Sequence, residues 1–401
     1  MRTIVRKGTM RVTYPSGSST VYGDGSETPV AITITDTATL RKILINPDLG
    51  AGEAYMDERL TIEGDDLRGF MSVIVTNLSA NHRIAWHKAL QKIRNALRRI
   101  NQYNPIGKAQ ANVAHHYDLS AELYELFLDE DKQYSCAYFR DPSDTLEQAQ
   151  AQKKAHIAAK LCLKPDMRVL DIGCGWGGMG LTLARDHGAR GLGVTLSEEQ
   201  HKIATKRAAE AGLADRVEFK LMDYRKVTGQ FDRIVSVGMF EHVGAPHHGE
   251  YFRHIHDKLT DDGIALIHTI GRPTPPGATS PWITKYIFPG GHIPAMSETL
   301  KAIENQSLWV TDVEVLRLHY AETLHHWFNR FSTNRAAIEQ LYDARFCRMW
   351  AYYLLACEAT FRHGPQGVFQ FQIAKQIDAV PLTRDYLYPP SRREKLRHAA
   401  E

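Results

Sequence analysis

Four closely spaced glycines are the clearest candidates for chemistry in this sequence. Gly173, Gly175, Gly177 and Gly178 follow the apolar residues 169–172. An apolar run of this kind is typical of a buried strand, and glycines let the backbone approach a ligand that side chains would exclude. The pattern predicts a strand, a loop that binds a nucleotide cofactor, and a helix. A tight strand-to-helix turn is the simpler alternative, because glycine-rich loops alone are weak signals.

Three further residues favour S-adenosylmethionine over a dinucleotide as the cofactor. The segment 173–178 is superficially compatible with the G-x-G-x-x-G loop of dinucleotide folds. However, Asp171 stands just before the loop, and Asp223 and Tyr224 stand at the end of a later predicted strand. This pattern resembles that of S-adenosylmethionine methyltransferases. Their ligand has no phosphate, and a carboxylate can hold its ammonium group.

The elements that must position these residues alternate between strand and helix from about residue 168 onward. Such alternation predicts an α/β fold with a doubly wound, Rossmann-like sheet, in which ligands bind at the carboxyl ends of the strands. Ser197, with Gln200 three residues later, predicts a helix that begins with a capping box. The predicted strands are Arg168–Ile172, Arg190–Thr195, Val217–Leu221, Phe231–Val237, Gly263–Thr269, Trp309–Leu316 and Val368–Ile373.

The chain divides into three predicted regions. Residues 1–80 predict a small N-terminal α+β accessory domain, associated with lipid or membrane. Residues 81–112 predict a basic amphipathic helix and a linker, and residues 113–401 predict the methyltransferase domain. The elements predicted for the first region are strands at Met10–Tyr14 and Ala31–Thr35 and a helix at Thr39–Ile45.

The middle region carries an uneven charge. There is no Asp or Glu from Leu67 to Tyr117, and eight Lys and Arg residues fall inside this segment. Its apolar residues repeat at helical spacing opposite a basic face, which suits an anionic lipid surface. An interdomain helix with a solvated basic face is an equal alternative, and nucleic-acid binding is disfavoured because stacking aromatic residues are not interleaved. The apolar stripe consists of Trp86, Leu90, Ile93, Leu97 and Ile100.

Composition excludes several classes of protein. The 401 residues, 43% hydrophobic and 24% charged, are typical of an ordinary soluble protein of two domains. No apolar stretch resembles a signal peptide or a membrane span, so we expect a cytoplasmic protein. The five scattered cysteines form no CxxC pair, and we therefore expect reduced thiols and no structural metal.

Several motifs occur in one order and together resemble the cyclopropane-fatty-acyl-phospholipid synthase family. They span roughly Ala114 to Phe371, and the segment 49–57 also resembles the accessory domain of that family. No single motif would suffice, but their shared order makes a chance match improbable. The motifs are HYDLS (116–120), YSCAYF (134–139), VLDIGCGWGG (169–178), FDRIVSVGMFEHVG (231–244), IHTIG (267–271) and KYIFPGG (285–291).

The resemblance implies transfer of a methyl group from S-adenosylmethionine to a cis double bond in an acyl chain of a membrane phospholipid. A proton is then lost and a cyclopropane ring closes. An alkene is a weak nucleophile, so the donor must be held in line with it in a dry pocket and a base must lie close to an apolar slot. In this family a bound bicarbonate is that base, which the matching positions Cys136, Glu241, His268, Ile270 and Tyr320 would hold.

The same resemblance implies a set of residues that bind the methyl donor. Many methyltransferases place an acidic residue at the end of the second strand to bind the ribose hydroxyls, but here that residue is Thr195. Gln200, one turn into the next helix, would then bind the ribose, and Asp223 would bind the adenine amino group. The full set is Tyr117, Tyr134, Ser135, Gly173, Gly175, Thr195, Leu196, Gln200, Asp223 and Tyr224.

Each of these assignments has a structural alternative. Cys136 would ordinarily be a small buried hydrophobe, and His268 a satisfied histidine in the core. Glu241 could be an exposed loop residue at the carboxyl edge of the sheet, and Tyr320 could pack between helices. Asp223 could cap a helix, a role compatible with ligand binding.

Two further segments are expected to cover the site. The connection from Gly271 to Pro294 is rich in proline and glycine and predicts a lid. The aromatic helical pattern from Ala336 to Phe361 predicts one long helix, either in the core or along the acyl channel.

The expected partner is an unsaturated phospholipid in an anionic membrane surface, with the protein bound peripherally to its inner face. A homodimer is one of the assemblies that the sequence allows. Two alternatives stay open: a relative that forms a methyl-branched or methylene chain or methylates a small amine, and a lipid-binding protein without turnover.

Overall fold

The structure, a computed structural model, describes residues 5–26, 29–79, 94–95 and 120–388. Within them the chain forms a four-stranded sheet near its start, a seven-stranded sheet, and helices that cover both. The predicted basic helix and Tyr117 lie outside the described residues, apart from residues 94 and 95. None of the helices described combines the length and the apolar composition that crossing a bilayer requires.

The smaller sheet belongs to the N-terminal region. Strand β1 pairs antiparallel with β2 and parallel with β3, and β3 pairs antiparallel with β4, which gives the order β2-β1-β3-β4. Alternate strand residues are buried, as expected for a sheet with one covered face. Its elements are β1 (Thr9–Thr13), β2 (Ser19–Gly23), β3 (Val30–Ile34), α1 (Thr37–Ile45), α2 (Pro47–Met56), β4 (Leu60–Ile62) and α3 (Leu67–Ser79).

The larger sheet confirms the predicted α/β fold. Its order is β10-β11-β9-β8-β5-β6-β7, with β7, β6, β5, β8 and β9 mutually parallel and β11 antiparallel to both of its neighbours. The strands are β5 (Arg168–Ile172), β6 (Arg190–Thr195), β7 (Val217–Leu221), β8 (Phe231–Val237), β9 (Leu259–Gly271), β10 (Trp309–Leu316) and β11 (Gly367–Ala374).

Helices cover both faces of this sheet. They are α4 (Ala121–Glu125), α5 (Leu146–Lys160), α6 (Gly178–His187), α7 (Glu198–Glu210), α8 (His248–Lys258), α9 (Pro281–Tyr286), α10 (Met296–Glu304), α11 (His319–Thr333), α12 (Arg335–Leu341) and α13 (Ala344–His363). Strand β5 lies between β6 and β8, and all three are parallel. The order in which successive strands join the sheet therefore reverses at β5. Such a reversal opens a crevice at the carboxyl ends of the strands.

The single helix predicted from Ala336 to Phe361 is wrong. The structure has two helices, α12 and α13, with Tyr342 and Asp343 between them. The Asp343 side chain accepts a hydrogen bond from the backbone N–H of Phe346 at 2.6 Å and caps α13. An aspartate at this position satisfies an N–H group that has no partner within the helix, so a new helix begins there.

One apolar core joins the smaller sheet to the helices that cover the site. The buried residues of β1, β3 and α3 belong to the same cluster as those of α11 and α13. In this cluster the ring of Tyr55 lies 6.0 Å from that of Tyr352. The two faces of the larger sheet form separate clusters, one beneath α8 and one beneath α5 and α6.

Candidate active site

The glycine loop after β5 forms one wall of a cleft. Gly175 has a φ of 54° and lines this cleft with Gly173 and Trp176. At Gly178 a Cβ would lie 2.3 Å from the Gln133 side chain and 2.4 Å from that of Asp131. Glycine at this position therefore lets the segment around residue 133 close directly over the loop.

The segment around residue 133 is fixed to the loop by a network of charges. Asp131 forms ion pairs with Lys154 of α5 and Arg207 of α7. The Arg207 guanidinium also donates to the carbonyl oxygen of Trp176 at 2.7 Å. Burial alone would raise the pKa of Asp131, but the two cations outweigh it and hold this pKa below its usual range. The aspartate thus stays charged and ties two walls of the cleft together.

The cleft brings together every predicted cofactor residue that the structure describes. These residues come from the segment before the sheet and from the carboxyl ends of three neighbouring strands, as the predicted topology requires. Only Tyr117 has no described position. The residues that line the cleft are Tyr134, Ser135, Gly173, Gly175, Thr195, Leu196, Gln200, Asp223 and Tyr224.

At the end of β6, Thr195 and Gln200 contact each other. The Thr195 hydroxyl donates to Gln200 Oε1 at 2.9 Å, and Ser197 accepts from the Gln200 backbone N–H at 3.3 Å. Of the two hydrogen bonds of the predicted capping box, the one accepted by the Ser197 side chain is present and the reciprocal one is absent. The Gln200 side chain does not reach back to the Ser197 backbone N–H, because that group donates to Thr195 at 3.2 Å. The Gln200 amide is instead held at the cleft.

Asp223 lies at the end of β7 and serves as a cap. It is 5% exposed and accepts from the backbone N–H of Arg225 at 2.9 Å. The Arg225 guanidinium donates to both of its carboxylate oxygens, at 2.8 and 2.7 Å. Burial raises the pKa of Asp223, but these hydrogen bonds outweigh it and keep this pKa below its usual range. The capping alternative is thus present in the structure, together with a position in the cleft.

Glu241 follows β8 in a short 3-10 turn, Phe240–His242. Its Oε1 accepts from the backbone N–H of Ile270 at 2.6 Å, whereas its Oε2 is buried without a hydrogen-bond partner. Burial raises the pKa of Glu241 to about 7. This carboxylate is therefore not an exposed loop residue, and it can take up or release a proton near neutral pH.

His268 lies on β9, two residues before Ile270 and on the same face of the sheet. It is 2% exposed, and its Nδ1 faces the Gln370 amide nitrogen at 3.1 Å. With the Gln370 amide in this orientation, its nitrogen donates to Nδ1 and the imidazole proton is assigned to Nε2, which is buried without a partner. Burial, followed by the charge of Lys153, lowers the pKa of His268 well below its usual range. The histidine is therefore neutral, and its Nε2 atom is left for a ligand.

Cys136 and Tyr320 are buried in the apolar cluster that also contacts Ile270. The Cys136 thiol donates to the carbonyl oxygen of Ala137 at 3.3 Å, and burial raises its pKa far above the usual range. Cys136 is thus a thiol rather than a thiolate nucleophile. The Tyr320 ring packs against Phe361, with the ring centres 4.7 Å apart.

The five residues predicted to hold a base lie next to the cleft rather than along it. Glu241 contacts Ile270 directly, and His268 shares a strand face with Ile270. In the part of the chain that the structure describes, none of Cys136, Glu241, His268, Ile270 and Tyr320 lines the cleft itself. We refer to these five residues as the second site, and that they hold one ligand together stays a prediction. Cys136 is next in sequence to Ser135 of the cleft.

The sequence interpretation missed several residues that line the cleft. His242 follows Glu241 directly, and its place after a strand could have identified it as a cleft residue. Burial lowers the pKa of His242 to about 4. Gln133 and Met239 gave no comparable signal, because only the folded chain brings them beside the glycine loop.

The connection between β9 and α10 is fixed at both ends. Its Trp282 is 1% exposed, and a Cβ on Gly52 of α2 would lie 2.4 Å from the Trp282 ring. Glu53 accepts from the Lys285 ammonium at 2.6 Å. At the other end, the backbone N–H of His292 donates to the carbonyl oxygen of Glu241 at 2.9 Å. The connection thus joins the N-terminal region to the turn that carries Glu241, and its role as a lid stays a prediction.

Comparisons with known proteins point to one family. Residues 106–371 match the family model described as mycolic acid cyclopropane synthetase, and residues 3–83 match a domain of unknown function. The chain is 40% identical to the cyclopropane-fatty-acyl-phospholipid synthase of Escherichia coli K12 over 87% of this chain and 89% of that protein. It is 39% identical to a probable fatty acid methyltransferase of Pseudomonas putida over 69% of this chain and 73% of that protein.

The structure also resembles a solved relative. It superposes on the mycolic acid cyclopropane synthase CmaA1 complexed with SAH and CTAB, with a TM-score of 0.64 and 32% identity. The match covers 68% of this chain and 99% of that chain.

Proposed function

This chain belongs to the mycolic acid cyclopropane synthetase family and is an S-adenosylmethionine-dependent methyltransferase, and we propose that its acceptor is a cis double bond in an unsaturated phospholipid acyl chain. The product is then a cyclopropane fatty acyl chain. The observation that carries the proposal is the second buried site beside the cleft. There Glu241 Oε2 and His268 Nε2 are both buried without a hydrogen-bond partner, and Ile270 links the two residues through its hydrogen bond to Glu241 and its place on the strand of His268.

The cleft provides what the methyl donor requires. Gln200, whose Oε1 is held by Thr195, has its amide N–H groups left to donate to ribose hydroxyls. Asp223, fixed by Arg225, supplies a carboxylate for the adenine amino group, and Tyr224 a ring for the base. Gly173 and Gly175 leave room for the amino acid part beside Asp171, whose Oδ2 is buried without a partner. S-adenosylmethionine supplies an electrophilic methyl group on a sulfonium.

The second site has the donors and acceptor that a bicarbonate ion requires. The Nε2–H of His268 can donate to the ion, and Glu241 Oε2 can accept from its hydroxyl group. Cys136 and Tyr320 belong to the apolar cluster against which Ile270 packs, and the Ile270 backbone N–H donates to Glu241. Both unpartnered atoms are buried, and buried polar atoms without partners are uncommon unless a ligand satisfies them. Bound there, bicarbonate would supply a base that removes a proton from the alkylated chain.

The residues of the chain itself keep this region dry. Aromatic side chains of α11 and α13 pack against Tyr320, including Trp327 at 0% exposure and Phe361 at 5%. Exclusion of water protects the carbocation that forms when an alkene accepts a methyl group, so that proton loss rather than hydration completes the reaction. The uncharged state of His268 fits this role, because a charged imidazolium would oppose the developing positive charge.

We further propose that the protein acts at the inner face of an anionic membrane. The support is the acid-free segment from Leu67 to Tyr117, whose Lys and Arg residues each contribute on the order of 1 kcal/mol near such a surface. A homodimer stays a prediction, which light scattering of the purified protein tests.

The test of the acceptor uses purified protein, methyl-labelled S-adenosylmethionine and vesicles that contain unsaturated phospholipid. We expect labelled acyl chains one methylene heavier, which mass spectrometry after derivatisation of the remaining double bonds identifies as cyclopropane products. A methyl-branched or methylene product would contradict ring closure. Label found only in added small amines would contradict the lipid acceptor, and saturated vesicles serve as the control.

A further inference from the structure

One face of α5 carries buried polar residues that the proposed reaction does not use. Gln150 is 1% exposed and Lys153 is 0% exposed, and their spacing of three places them on the same side of the helix. Side chains of these types are seldom fully buried unless a partner holds them. Their partners are therefore informative about the site.

Both residues hold the segment 133–136. The Gln150 amide donates to the carbonyl oxygens of Gln133, at 3.2 Å, and of Ser135, at 3.0 Å. The Lys153 ammonium donates to the side chains of the same two residues, at 2.6 Å for Gln133 Oε1 and 2.9 Å for Ser135 Oγ. The segment is thus fixed through both its backbone and its side chains. It lines the cofactor cleft with Ser135 and supplies Cys136 to the second site.

Lys153 differs from the other buried lysines of α5 in its lack of a counter-ion. Lys154 pairs with Asp131, and Lys160 pairs with Glu314 at 2.5 Å. Among the described residues, Lys153 forms no such ion pair, and both of its hydrogen bonds are to neutral groups. Asp129, the strongest charge near it, instead accepts from the backbone N–H of Gln133 at 2.9 Å.

A buried ammonium without an anionic partner is unfavourable by several kcal/mol. Burial lowers the pKa of Lys153 to about 8, so the group is still largely charged at neutral pH. Burial raises the pKa of Asp171, at the cleft, to about 7, although the charge of Lys153 acts in the opposite direction. Burial and then the charge of Lys153 lower the pKa of His268, at the second site. Both places where a ligand would carry a negative charge are therefore within its electrostatic reach.

We propose that Lys153 is the counter-ion of a carboxylate-type anion bound beside Ser135 and Cys136, and that Gln150 and Lys153 are positioning residues for the segment 133–136. The proposal rests on the proposed function, which supplies two anions of this chemistry. One is the carboxylate of the methyl donor, and the other is bicarbonate. The ammonium acts on both through its charge and through the Ser135 hydroxyl that it holds.

The test compares three substitutions of Lys153. Lys153→Arg keeps the charge, Lys153→Gln removes the charge but keeps a hydrogen-bond donor, and Lys153→Met removes both. Lys206→Met, at an exposed position on α7, is the control. Isothermal titration calorimetry measures dissociation constants for S-adenosylhomocysteine and for 5′-methylthioadenosine, which lacks the carboxylate. The rise in melting temperature on addition of bicarbonate and the bicarbonate concentration for half-maximal turnover are measured in parallel.

Two results would support the proposal and identify the anion. If it is the methyl donor's carboxylate, the Gln and Met variants bind S-adenosylhomocysteine about tenfold more weakly or worse, and 5′-methylthioadenosine equally well. If it is bicarbonate, both nucleosides bind as before, the half-maximal bicarbonate concentration rises about tenfold, and the bicarbonate-dependent stabilisation is lost. In either case Lys153→Arg retains most of the affinity.

Other results would overturn it. Unchanged anion affinities in the Gln variant would show that the charge has no role, even if Lys153→Met binds more weakly. A lower melting temperature with unchanged affinities would indicate only a structural role. If Lys153→Met does not fold, the Arg and Gln pair still makes the comparison. Failure of the wild-type protein to bind S-adenosylhomocysteine would instead contradict the proposed function.

Discussion

Replacement of Glu241 by glutamine should stabilise the protein while it removes activity. In the folded chain burial raises the pKa of Glu241 to about 7, from an ordinary value of 4.5. Between these two values the unfolded chain has lost the proton that the folded chain keeps, so stability falls as the pH rises through this range. The full penalty, reached above about pH 7, corresponds to about 3 kcal/mol for a shift of this size.

Glutamine carries no charge and therefore avoids this penalty. Its side-chain oxygen can still accept from the backbone N–H of Ile270, which keeps the turn in place. We expect the stability of Glu241→Gln relative to wild type to increase by about 3 kcal/mol from pH 4.5 to pH 8, with most of the change below pH 7. Turnover should fall about 100-fold or more, and S-adenosylhomocysteine should bind with unchanged affinity because Glu241 lies outside the cleft.

The assay combines urea denaturation at a series of pH values with turnover on unsaturated vesicles and calorimetric binding of S-adenosylhomocysteine. Glu304→Gln, at an exposed position on α10, serves as the control and should show no such pH-dependent gain. A pH-independent stability difference would refute the argument from burial. Turnover like that of the wild type would refute the assignment of Glu241 to the second site.

Three other predictions concern the walls of the site. Gly178→Ala should weaken binding of S-adenosylhomocysteine about tenfold in calorimetry, because the new Cβ would collide with the segment around residue 133. Gly180→Ala is the control: its Cβ would meet no atom closer than 3.5 Å, so this variant should bind S-adenosylhomocysteine normally. Asp131→Asn should lower the free energy of unfolding by about 3 kcal/mol in urea titrations, because it leaves Lys154 without its partner; an unchanged denaturation midpoint would contradict this. Trp282→Ala should lower the free energy of unfolding by about 3–5 kcal/mol in the same measurement. A decrease below about 1 kcal/mol would show that the Trp282 ring is not closely packed against α2.

The strands of the larger sheet could be predicted almost to the residue from the sequence. They are short apolar runs bounded by glycine and charged residues, and a sheet covered on both faces requires such runs. The exception is β9, which begins at Leu259 rather than at the predicted Gly263. Leu259 pairs with Phe231 of β8, and pairing resumes only at Ile264 opposite Arg233, so residues 260–263 form a bulge within the strand.

Helix starts were less predictable, because local capping competes with tertiary contacts. The aromatic spacing around residue 342 favoured one continuous helix, but Asp343 caps a second helix within that stretch. At Ser197 the capping motif was present, but Thr195 offered the Gln200 side chain a closer partner at the cleft. At Asp343 a single side-chain hydrogen bond marks the start of a new helix, whereas at Ser197 the helix begins as predicted and only the Gln200 side chain differs.

The two parts of the candidate site differ in how far the sequence could define them. The cleft residues at strand ends could be predicted because a parallel sheet brings those ends to one edge, whereas Tyr134 and Ser135 were implied only by the family resemblance. Gln150 and Lys153 could not, because polar residues on a helix usually indicate a face in contact with solvent. Only the packing of α5 beneath the segment 133–136 shows that these side chains face inward.

The apolar core shared by the smaller sheet and α13 has a consequence for synthesis of the chain. The smaller sheet and its helices are complete at residue 79, whereas α13, which covers them, begins more than 260 residues later. At typical rates of translation this interval lasts roughly ten seconds to a minute. During that time the apolar surface around Tyr55 and Phe70 lacks its native cover. Until α13 is synthesised, this exposed apolar surface makes the partly folded chain prone to aggregation.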